Sequence, residues 1–450
     1  MTLSSRANVF VLLLLGQAYV SQEGPALPDR PFNIVWNVPS RVCTKKFGIE
    51  INLDGYEIVY NPGHEWNGTY MTIFYANDLG LYPNIHEQTG EENNGGLPQK
   101  ADLKDHLTKA TDDISRLIPD ADYRGLGVID WEFWRPLWRR NWGSKNIYRT
   151  KSEELVRQEL PYASRAEVTT KAKEEFEGAA RKWMGETLNM VKTVRPGGFW
   201  GFYLFPDCYN FPHLMRLQED PSYDCRKKVK SDNDELQWLW EESTALYPSI
   251  YLSNVFKRLP SSEQFVRARV AETFRVMNSR QSSDIPVYPY VRLRYRESVE
   301  YLTETDLASS IQEPAGQGSA GVVIWGAWAD VNTKARENCL ILRDYVTTTF
   351  GPFAKKMVQL AAECSMRECN NHGRCVTTYE RTSTDPSLEQ RQVEEGASSV
   401  YPLGQNLMSE EDASSLRERL QYLPGRQGTS CRCYPGWTGE ICSIGTHEEL

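Results

Sequence analysis

The stretch at positions 127–136 reads Gly-Val-Ile-Asp-Trp-Glu-Phe-Trp-Arg-Pro, and it predicts both a buried strand and the acids that end it. A short apolar run from Leu126 to Ile129 is followed by two carboxylates, Asp130 and Glu132, at positions i and i+2. In a β-strand, side chains at this spacing point to the same face, about 6.5–7 Å apart along the backbone. We therefore expect the two acids to project together from the carboxyl end of a strand.

Three tryptophans, Trp131, Trp134 and Trp138, lie beside these acids in the sequence. Two carboxyls at a strand end among aromatic residues suit a site that protonates a glycosidic oxygen while sugar rings stack on indoles. The alternative for an Asp-x-Glu pattern alone is an ordinary exposed turn.

Strand-like apolar runs recur along the chain, and helical patterns separate several of them. The runs are Phe32–Val38, Tyr70–Tyr75, Leu126–Trp131, Phe199–Leu204, Ser249–Leu252, Val287–Leu293 and Val322–Trp325. The helical patterns are Leu103–Leu117, Ser152–Thr193 with a break near Pro161, Glu263–Asn278 and Lys334–Glu363. This alternation predicts an α/β fold with a parallel sheet covered by helices. A closed (β/α) barrel of the TIM type is the leading architecture, and an open doubly wound sheet is the alternative.

Barrel enzymes place their chemistry at the carboxyl ends of the strands. The predicted strands end in polar or aromatic residues that we expect to point into one site: Asn37, Tyr75, Asp130 with Glu132, Tyr203, Tyr251 and Trp325.

The amino-terminal residues 1–21 have the pattern of a secretory signal peptide. Arg6 precedes an apolar run at Val9–Leu15, and the small residues Ala18 and Ser21 offer cleavage points. No later apolar run has the length of a membrane span, so we expect a secreted product with no transmembrane segment. A lysosomal address is an alternative. Retention in the ER is another, because the tail His447–Leu450 resembles a degenerate retrieval signal.

The chain of 450 residues carries a net charge of −9, which argues against nucleic-acid binding. A polyanionic substrate stays compatible with this charge if a local basic cluster lines a groove. Arg135, Arg139 and Arg140 follow the two acids and are candidates for that cluster. The sequon Asn67-Gly68-Thr69 predicts glycosylation at Asn67 if this residue lies on the surface.

The ten cysteines fit an oxidising compartment, where disulfides are favoured over zinc. The composition changes at Cys364, which divides the mature chain into a catalytic unit at 22–363 and a cysteine-rich unit at 364–442. The spacing Cys431-x-Cys433-x8-Cys442, with its Gly/aromatic turn, resembles the end of an EGF-like module, although spacing alone leaves fifteen connectivities open. Residues 376–430 form a polar insertion, and 443–450 form a tail.

Two short motifs resemble cofactor-binding patterns, one for a dinucleotide and one for zinc, but neither meets all the requirements of its pattern. The match to G-x-G-x-x-G at 316–321 precedes a predicted strand, whereas a dinucleotide fingerprint follows one. His64-Glu65 and His86-Glu87 lack the second histidine of H-E-x-x-H, since Gly68 and Gly90 stand at that position. We expect no cofactor and no metal.

Six segments taken together resemble the animal hyaluronidases, glycoside hydrolase family 56, from about Pro31 to Cys442. They are Phe-Asn-Ile-Val-Trp-Asn at 32–37, Gly-Gly-Leu-Pro-Gln at 95–99, the acidic stretch at 127–136, Trp-Gly-Phe-Tyr-Leu-Phe-Pro-Asp-Cys-Tyr-Asn at 200–210, Ala-Leu-Tyr-Pro-Ser-Ile-Tyr at 245–251, and Gly-Val-Val-Ile-Trp at 321–325. The resemblance implies a distorted (β/α) barrel followed by a disulfide-stapled EGF-like domain.

The resemblance also implies endo-hydrolysis of β-1,4 bonds between N-acetylhexosamine and glucuronate in hyaluronan. Carried over by position, Glu132 is the proton donor, Asp130 is its partner, and Tyr75, Tyr203, Tyr251, Arg269 and Trp325 bind substrate. The implied disulfides are Cys43–Cys339, Cys208–Cys225, Cys364–Cys375, Cys369–Cys431 and Cys433–Cys442.

The segment Tyr295-Arg296-Glu297-Ser298 departs from the family pattern, in which many members carry an aspartate after this strand. No role is transferred there, and the departure leaves substrate preference open. A chondroitin-preferring hydrolase is therefore an alternative function, and a non-catalytic hyaluronan-binding adhesion protein is another. We expect the protein to be a monomer.

Overall fold

The computed structural model describes residues 30–211, 223–282, 284–327, 335–377 and 428–446. The predicted signal peptide, most of the predicted insertion and the terminal residues 447–450 lie outside these ranges.

Nine of the strands belong to the first, larger part of the chain. They are β1 (Asn33–Asn37), β2 (Ile58–Tyr60), β3 (Met71–Phe74), β4 (Asn84–Ile85), β5 (Glu92–Asn93), β6 (Leu126–Ile129), β7 (Phe199–Phe202), β8 (Tyr290–Val291) and β9 (Gly321–Trp325). Strands β4 and β5 form a small antiparallel hairpin. The remaining seven pair only in parallel, in the orders β2-β1-β9-β8 and β3-β6-β7.

The segment at 245–250 connects β7 to β8 through isolated parallel bridges rather than a regular ladder. The bridges join Tyr203 to Tyr247, Leu246 to Val287 and Ser249 to Tyr290. The predicted strand Ser249–Leu252 is therefore wrong as a regular strand. Prolines at 248, 286 and 289 explain this, because proline has no N–H to donate to a ladder.

The Asn61 side chain connects β2 to β3, where the two strands share no ladder. Its Nδ2 donates to the carbonyl oxygens of Met71 at 2.7 Å and Glu65 at 3.0 Å. Its Oδ1 accepts from the amides of Tyr70 at 3.1 Å and Met71 at 3.3 Å. With this link, the strands form a closed ring, which confirms the predicted α/β barrel over the open sheet.

Alternate residues along each strand face the inside and the outside of the ring, as the two-residue period of a strand requires. The interior cluster includes Val35, Ile73, Val128, Phe199 and Val323. Their neighbours, such as Trp36 and Phe74, belong to the outer core between strands and helices. This alternation decides which side chains can enter the cavity at the end of the barrel.

Helices cover the outside of the ring. They span Arg41–Phe47, Leu103–Leu117, Asn146–Glu159, Arg165–Val194, Lys227–Glu235, Gln237–Glu242, Ser261–Asn278, Glu304–Leu307, Glu313–Gly316, Ala335–Tyr345 and Gly351–Glu368. Wider turns at Ala308–Gln312 and Val346–Phe350 join neighbouring helices, and single tight turns lie at Pro62–His64, Trp138–Arg140, Gly143–Lys145 and Asn254–Phe256.

The break expected near Pro161 is confirmed, and the following helix begins with a capping box. The Ser164 hydroxyl accepts from the Glu167 amide at 3.3 Å, and the Glu167 carboxylate accepts from the Ser164 amide at 2.7 Å. No helix among the described residues combines the length and the apolar character that a membrane span requires.

Five disulfides use all ten cysteines. They join Cys43 to Cys339, Cys208 to Cys225, Cys364 to Cys375, Cys369 to Cys431, and Cys433 to Cys442, the same pairs that the resemblance implies. Three of them lie in a small unit with two antiparallel pairs, β10 (Gly373–Thr377) with β11 (Thr429–Cys433) and β12 (Trp437–Thr438) with β13 (Ile444–Gly445). The helix Gly351–Glu368 runs through the predicted boundary at 363, so this unit continues from the last barrel helix.

The cysteine-rich unit contacts the amino-terminal end of the barrel. Arg374 donates to the carbonyl oxygen of Pro31 at 2.9 Å, just before β1. Arg432 forms a salt bridge with Asp284 at 3.1 Å and stacks on Phe274. The unit therefore sits at the end of the barrel opposite the carboxyl ends of the strands.

Replacement of Asn61 by alanine should destabilise the barrel, because four backbone groups, two of them in buried hydrogen bonds, would lose their side-chain partner. We expect a loss of about 3 kcal/mol in the free energy of unfolding, measured by guanidinium denaturation. Asn52→Ala is the matched control, since Asn52 is exposed and accepts one bond from Asp54. Equal small effects from both changes would contradict the closing role of Asn61.

The hydrogen bonds of the Asn67 amide argue against the expected glycan, which stays a prediction. The side-chain amide of Asn67 satisfies its surroundings when its nitrogen faces two carbonyl oxygens. In this orientation the nitrogen donates to Ile73 at 3.0 Å and to Trp66 at 3.1 Å. This nitrogen would carry the glycan, and the attachment would break one of the two bonds and crowd the strand.

We expect enzymatic deglycosylation to leave the mass of the Asn67 peptide unchanged in secreted protein. In Thr69→Ala, which removes the sequon and keeps Asn67, deglycosylation should likewise leave the mass of this peptide unchanged. A glycan found on Asn67 by mass spectrometry would refute this interpretation.

Candidate active site

A cleft of about 500 Å³ opens at the carboxyl ends of the barrel strands. Its lining residues are Asp130, Glu132, Arg135, Arg140, Trp142, Gly143, Ser144, Lys145, Tyr203, Leu204, Asp207, Tyr209, Phe211, Ser249, Tyr251, Arg269, Tyr290, Arg292, Arg296 and Trp325. Of the seven residues that the family resemblance assigned to the site, all but Tyr75 line this cleft.

Asp130 and Glu132 enter the cleft because the alternation of β6 continues beyond its last residue. The Asp130 amide donates to the carbonyl oxygen of Phe74 at 2.8 Å, which extends the pairing with β3 by one step. Trp131 between them turns outward and stacks on Tyr82, with ring centroids 4.4 Å apart. Glu132 lies at the mouth with 53% of its side chain exposed, whereas Asp130 lies deeper.

The three tryptophans near the acids are not sugar platforms, which corrects the expectation from the sequence. Trp131, Trp134 and Trp138 are buried in the outer core, and the last two pack against Phe176 of the helix Arg165–Val194. They are placed there by strand alternation and by the turn that follows, which the local sequence did not reveal.

The pKa of Asp130 is raised to about 8, because burial disfavours the charged carboxylate and the negative charge of Glu132 adds to this effect, while Arg135 opposes it. The Oδ1 atom of Asp130 is buried and has no hydrogen-bond partner among the described residues. The coupled pair therefore holds a proton at a pH where two isolated carboxyls would be ionised, and it offers an oxygen to a ligand.

Two cations fix the backbone that carries Glu132. Lys145 Nζ donates to the Glu132 carbonyl oxygen at 2.6 Å, and Arg135 Nη1 donates to the same oxygen at 3.0 Å. Arg135 Nη2 also approaches the Glu132 carboxylate, at 3.4 Å. These contacts hold the carboxylate over the opening without enclosing it.

Aromatic rings form the opposite wall of the cleft. Tyr203 packs edge-on against Tyr290 at 4.9 Å, and Tyr251 lies parallel to Trp325 at 6.0 Å. The Tyr203 hydroxyl donates to the Ser249 hydroxyl at 3.3 Å. Sugar rings can lie against such a wall while the hydroxyl groups give orientation.

Tyr75 and Asn37 do not line the cleft, although they end inward-facing strands as the sequence predicted. The Tyr75 hydroxyl accepts from Trp325 Nε1 at 3.1 Å, and its ring packs on Trp66 at 5.3 Å. Tyr75 therefore lies behind Trp325 and positions that indole. Asn37 is buried and donates to the carbonyl oxygen of Trp66 at 3.4 Å.

Arg269 reaches the cleft from the helix Ser261–Asn278, as the family resemblance implied. It donates to Asn210 at 2.8 Å and to the carbonyl oxygen of Ser249 at 2.7 Å. Its side chain stacks on Phe211 and Phe265. Its Nη2 is buried without an acceptor among the described residues, so it presents a donor to a ligand.

The cleft contains six basic residues and three acidic ones, although the whole chain is acidic. Arg135 and Arg140 belong to this basic set as expected, whereas Arg139 pairs with Asp232 and Glu235 outside the cleft. Other residues of the lining were not predicted as site residues from the sequence: Lys145, Arg292, Arg296, Trp142, Tyr209, Phe211 and Tyr290. The alternation beyond Tyr290 would have indicated Arg292.

The raised pKa of Asp130 predicts how stability depends on pH. The folded state binds this proton more tightly than the unfolded chain, whose carboxyl has a pKa of about 3.9. The stabilisation is therefore complete below that value and is lost as the pH rises towards 8. Asp130→Asn stays neutral, so its stability relative to the native protein should increase from pH 4 to pH 8. Guanidinium unfolding at both pH values measures this.

Asp112→Asn, at an exposed position of the helix Leu103–Leu117, is the matched control and should show no such trend. A difference between Asp130→Asn and the native protein that stays constant with pH would contradict a raised pKa.

Comparison with known proteins agrees with this site. A family model described as Hyaluronidase matches residues 21–446. Hyaluronidase-1 from Homo sapiens is 41% identical over 438 residues, which cover 97% of each chain. Hyaluronidase PH-20 from Rattus norvegicus is 43% identical over 371 residues, 81% of this chain and 71% of its own.

Among solved structures, bee venom hyaluronidase in complex with a hyaluronic acid tetramer matches with a TM-score of 0.66 and 33% identity. The match covers 72% of this chain and 99% of the bee protein. The chain belongs to the hyaluronidase family, glycoside hydrolase family 56.

Proposed function

We propose that this enzyme hydrolyses β-1,4 bonds between N-acetylhexosamine and glucuronate inside hyaluronan chains. The observation that carries the proposal is the pairing of Asp130 and Glu132 at the floor and mouth of a cleft rich in basic residues. One carboxyl holds a proton, the other reaches the opening, and cations surround both.

The charge of the cleft suits a polymer that carries one carboxylate in each disaccharide. Basic side chains within a concave surface focus the field and raise the local concentration of a polyanion. The negative charge of the remaining surface does not prevent this, because salt screens charges beyond about 8 Å at physiological ionic strength.

Glu132 is the proposed proton donor. A general acid must reach the leaving oxygen, and Glu132 is the carboxyl of the pair that lies at the cleft mouth. Its backbone is fixed by Lys145 and Arg135, so the carboxyl stays over the position of the scissile bond.

The acids leave one strand on one face and cannot flank a sugar ring in the usual retaining arrangement. The 2-acetamido group of the substrate supplies the nucleophile instead. Its carbonyl oxygen attacks C1 as the bond to the leaving oxygen breaks, and Glu132 passes the proton held by the Asp130–Glu132 pair to that oxygen. Glu132 then takes a proton from water, the water oxygen bonds to C1, and the acetamide re-forms with retained configuration.

Asp130 and the tyrosines orient the acetamido group in this mechanism. The unpartnered Oδ1 of Asp130 can accept the N–H of the amide, which turns its carbonyl oxygen towards C1. The hydroxyls of Tyr203 and Tyr251 lie at the same end of the barrel and can donate to that oxygen. Trp325, held by Tyr75, offers a surface for a neighbouring sugar ring.

We also propose the type of the small domain, the cellular location and the oligomeric state of this enzyme. The small carboxyl-terminal unit is EGF-like, supported by its three disulfides and short antiparallel pairs. Secretion follows from the predicted signal peptide and from the five disulfides, which persist in oxidising compartments. Lysosomal or ER residence stays compatible with these features, and we expect a monomer.

Glu132→Gln should lose about 10³-fold in turnover, because glutamine cannot donate a proton to the leaving oxygen. Its affinity for hyaluronan should change little, since the shape and the cations of the cleft remain. Release of new reducing ends measures turnover, and calorimetry with defined oligosaccharides measures binding.

Glu154→Gln, at an exposed position that pairs with Lys151, is the matched control and should keep full activity. If native protein binds hyaluronan and leaves its length unchanged at every pH tested, the adhesion alternative is correct. Unsaturated ends among the products would indicate β-elimination and would exclude hydrolysis.

A further inference from the structure

One end of the cleft carries more positive charge than a single carboxylate in each disaccharide requires. Arg269, Arg292 and Arg296 all line it. Arg269 and Arg296 stack on the same ring, with their guanidinium carbons 4.8 Å and 5.3 Å from the centroid of Phe211. Arg292 lies over Trp325 at 5.4 Å. The three cations thus extend along the aromatic wall.

The position of Arg296 is fixed by the backbone. Its amide donates to the carbonyl oxygen of Leu252 at 2.8 Å, and it forms a parallel bridge with Ser253. This pairing places Arg296 beside the segment that carries Tyr251 into the cleft. The Arg296 backbone is therefore fixed beside the cleft, and its partly buried side chain places the guanidinium against Phe211.

The two arginines on Phe211 differ from the cations near the acids. Arg135 is paired with Glu132, and Arg140 is paired with Asp232. Among the residues that the structure describes, neither Arg269 nor Arg296 has a salt bridge, and Arg269 Nη2 has no acceptor although the residue is 5% exposed.

The positive charges of these two guanidiniums repel each other, so an anion within reach of both is favourable. The pKa of Arg269 is lowered to about 10, chiefly by burial, with Asp207 opposing the shift and the charge of Arg296 adding to it. The carboxylate of Asp207 already accepts from the amides of Cys208 and Tyr209. A ligand anion would relieve the repulsion and satisfy the open donor.

We propose that Arg296 is a specificity-determining residue that, with Arg269, binds a sulfate ester on the hexosamine of a chondroitin-type chain. A glucuronate carboxylate can occupy the open donor of Arg269 alone. Arg296 adds a second guanidinium on the same ring, and the oxygens of a tetrahedral sulfate can accept from two such groups that are not coplanar. The inference rests on the proposed function, since it extends the substrate of the same cleft to sulfated polymers.

The test compares chondroitin 4-sulfate, chondroitin 6-sulfate, unsulfated chondroitin and hyaluronan at equal chain length and ionic strength. The variants are Arg296→Gln, which removes the charge, and Arg296→Lys, which keeps the charge and loses the planar fork. Arg343→Gln is the matched control, because Arg343 is exposed on the helix Ala335–Tyr345, pairs with Asp344 and lies outside the cleft.

Native protein should cleave at least one sulfated chondroitin. In Arg296→Gln, the ratio of kcat/KM on that polymer to kcat/KM on unsulfated chondroitin should fall about fivefold or more. Arg296→Lys should retain an intermediate ratio, and Arg343→Gln should leave the ratio unchanged. A thermal unfolding curve establishes that each variant is folded.

A ratio unaffected by Arg296→Gln, or native protein that cleaves hyaluronan and no sulfated chain, overturns the inference and leaves the proposed function standing.

A second experiment does not depend on turnover. It measures the binding of sulfated and unsulfated chondroitin oligosaccharides to Glu132→Gln with and without Arg296→Gln. If native protein cleaves none of the four polymers, the proposed function fails. A loss of the affinity difference between sulfated and unsulfated oligosaccharides in Arg296→Gln still supports the role of Arg296. If Arg296→Gln leaves that difference unchanged, the role of Arg296 is overturned.

Discussion

The closed ring of parallel strands constrains every other feature of this protein. Each strand has a two-residue period, and closure gives all the strands a common inside. Side chains that continue the inward set past the strand ends must therefore meet in one cavity. Asp130 with Glu132, Tyr203 and Trp325 meet for this reason, although about 195 residues of chain separate the first from the last.

Closure also depends on contacts that are not regular strand pairing. The Asn61 amide replaces a ladder between β2 and β3, and isolated bridges around Tyr247 replace one between β7 and β8. The prolines near these bridges remove donors that a regular strand would need. The barrel is therefore distorted on the side where Tyr251, Arg269 and Arg296 reach the cleft, and the distortion makes room for these side chains.

Electrostatics connects the fold to the chemistry. Burying Asp130 beside Glu132 disfavours two charges, so the pair holds a proton that the reaction can use. The surrounding arginines favour the negative charge of the substrate and differ in how they are paired. Those near Glu132 are partly neutralised by acids, whereas Arg269 and Arg296 share an aromatic ring. The proposed discrimination between sulfated and unsulfated polymers rests on this difference.

The sequence alone determined most of the parallel strands and long helices, the inward alternation at Asp130 and Glu132, and the break before Arg165, because each depends on neighbours a few residues apart. It missed the short strand β2 and gave a regular strand at Ser249–Leu252 where the structure has isolated bridges. The family resemblance supplied the disulfide pairs and placed Arg269 in the site. Only the tertiary structure decided that Trp131 turns into the outer core, that Tyr75 supports Trp325 from behind, and that the Asn67 amide is occupied. It also decided that Arg296 stands beside Arg269, since their proximity arises from strand closure and from a shared contact with Phe211 that no local pattern encodes.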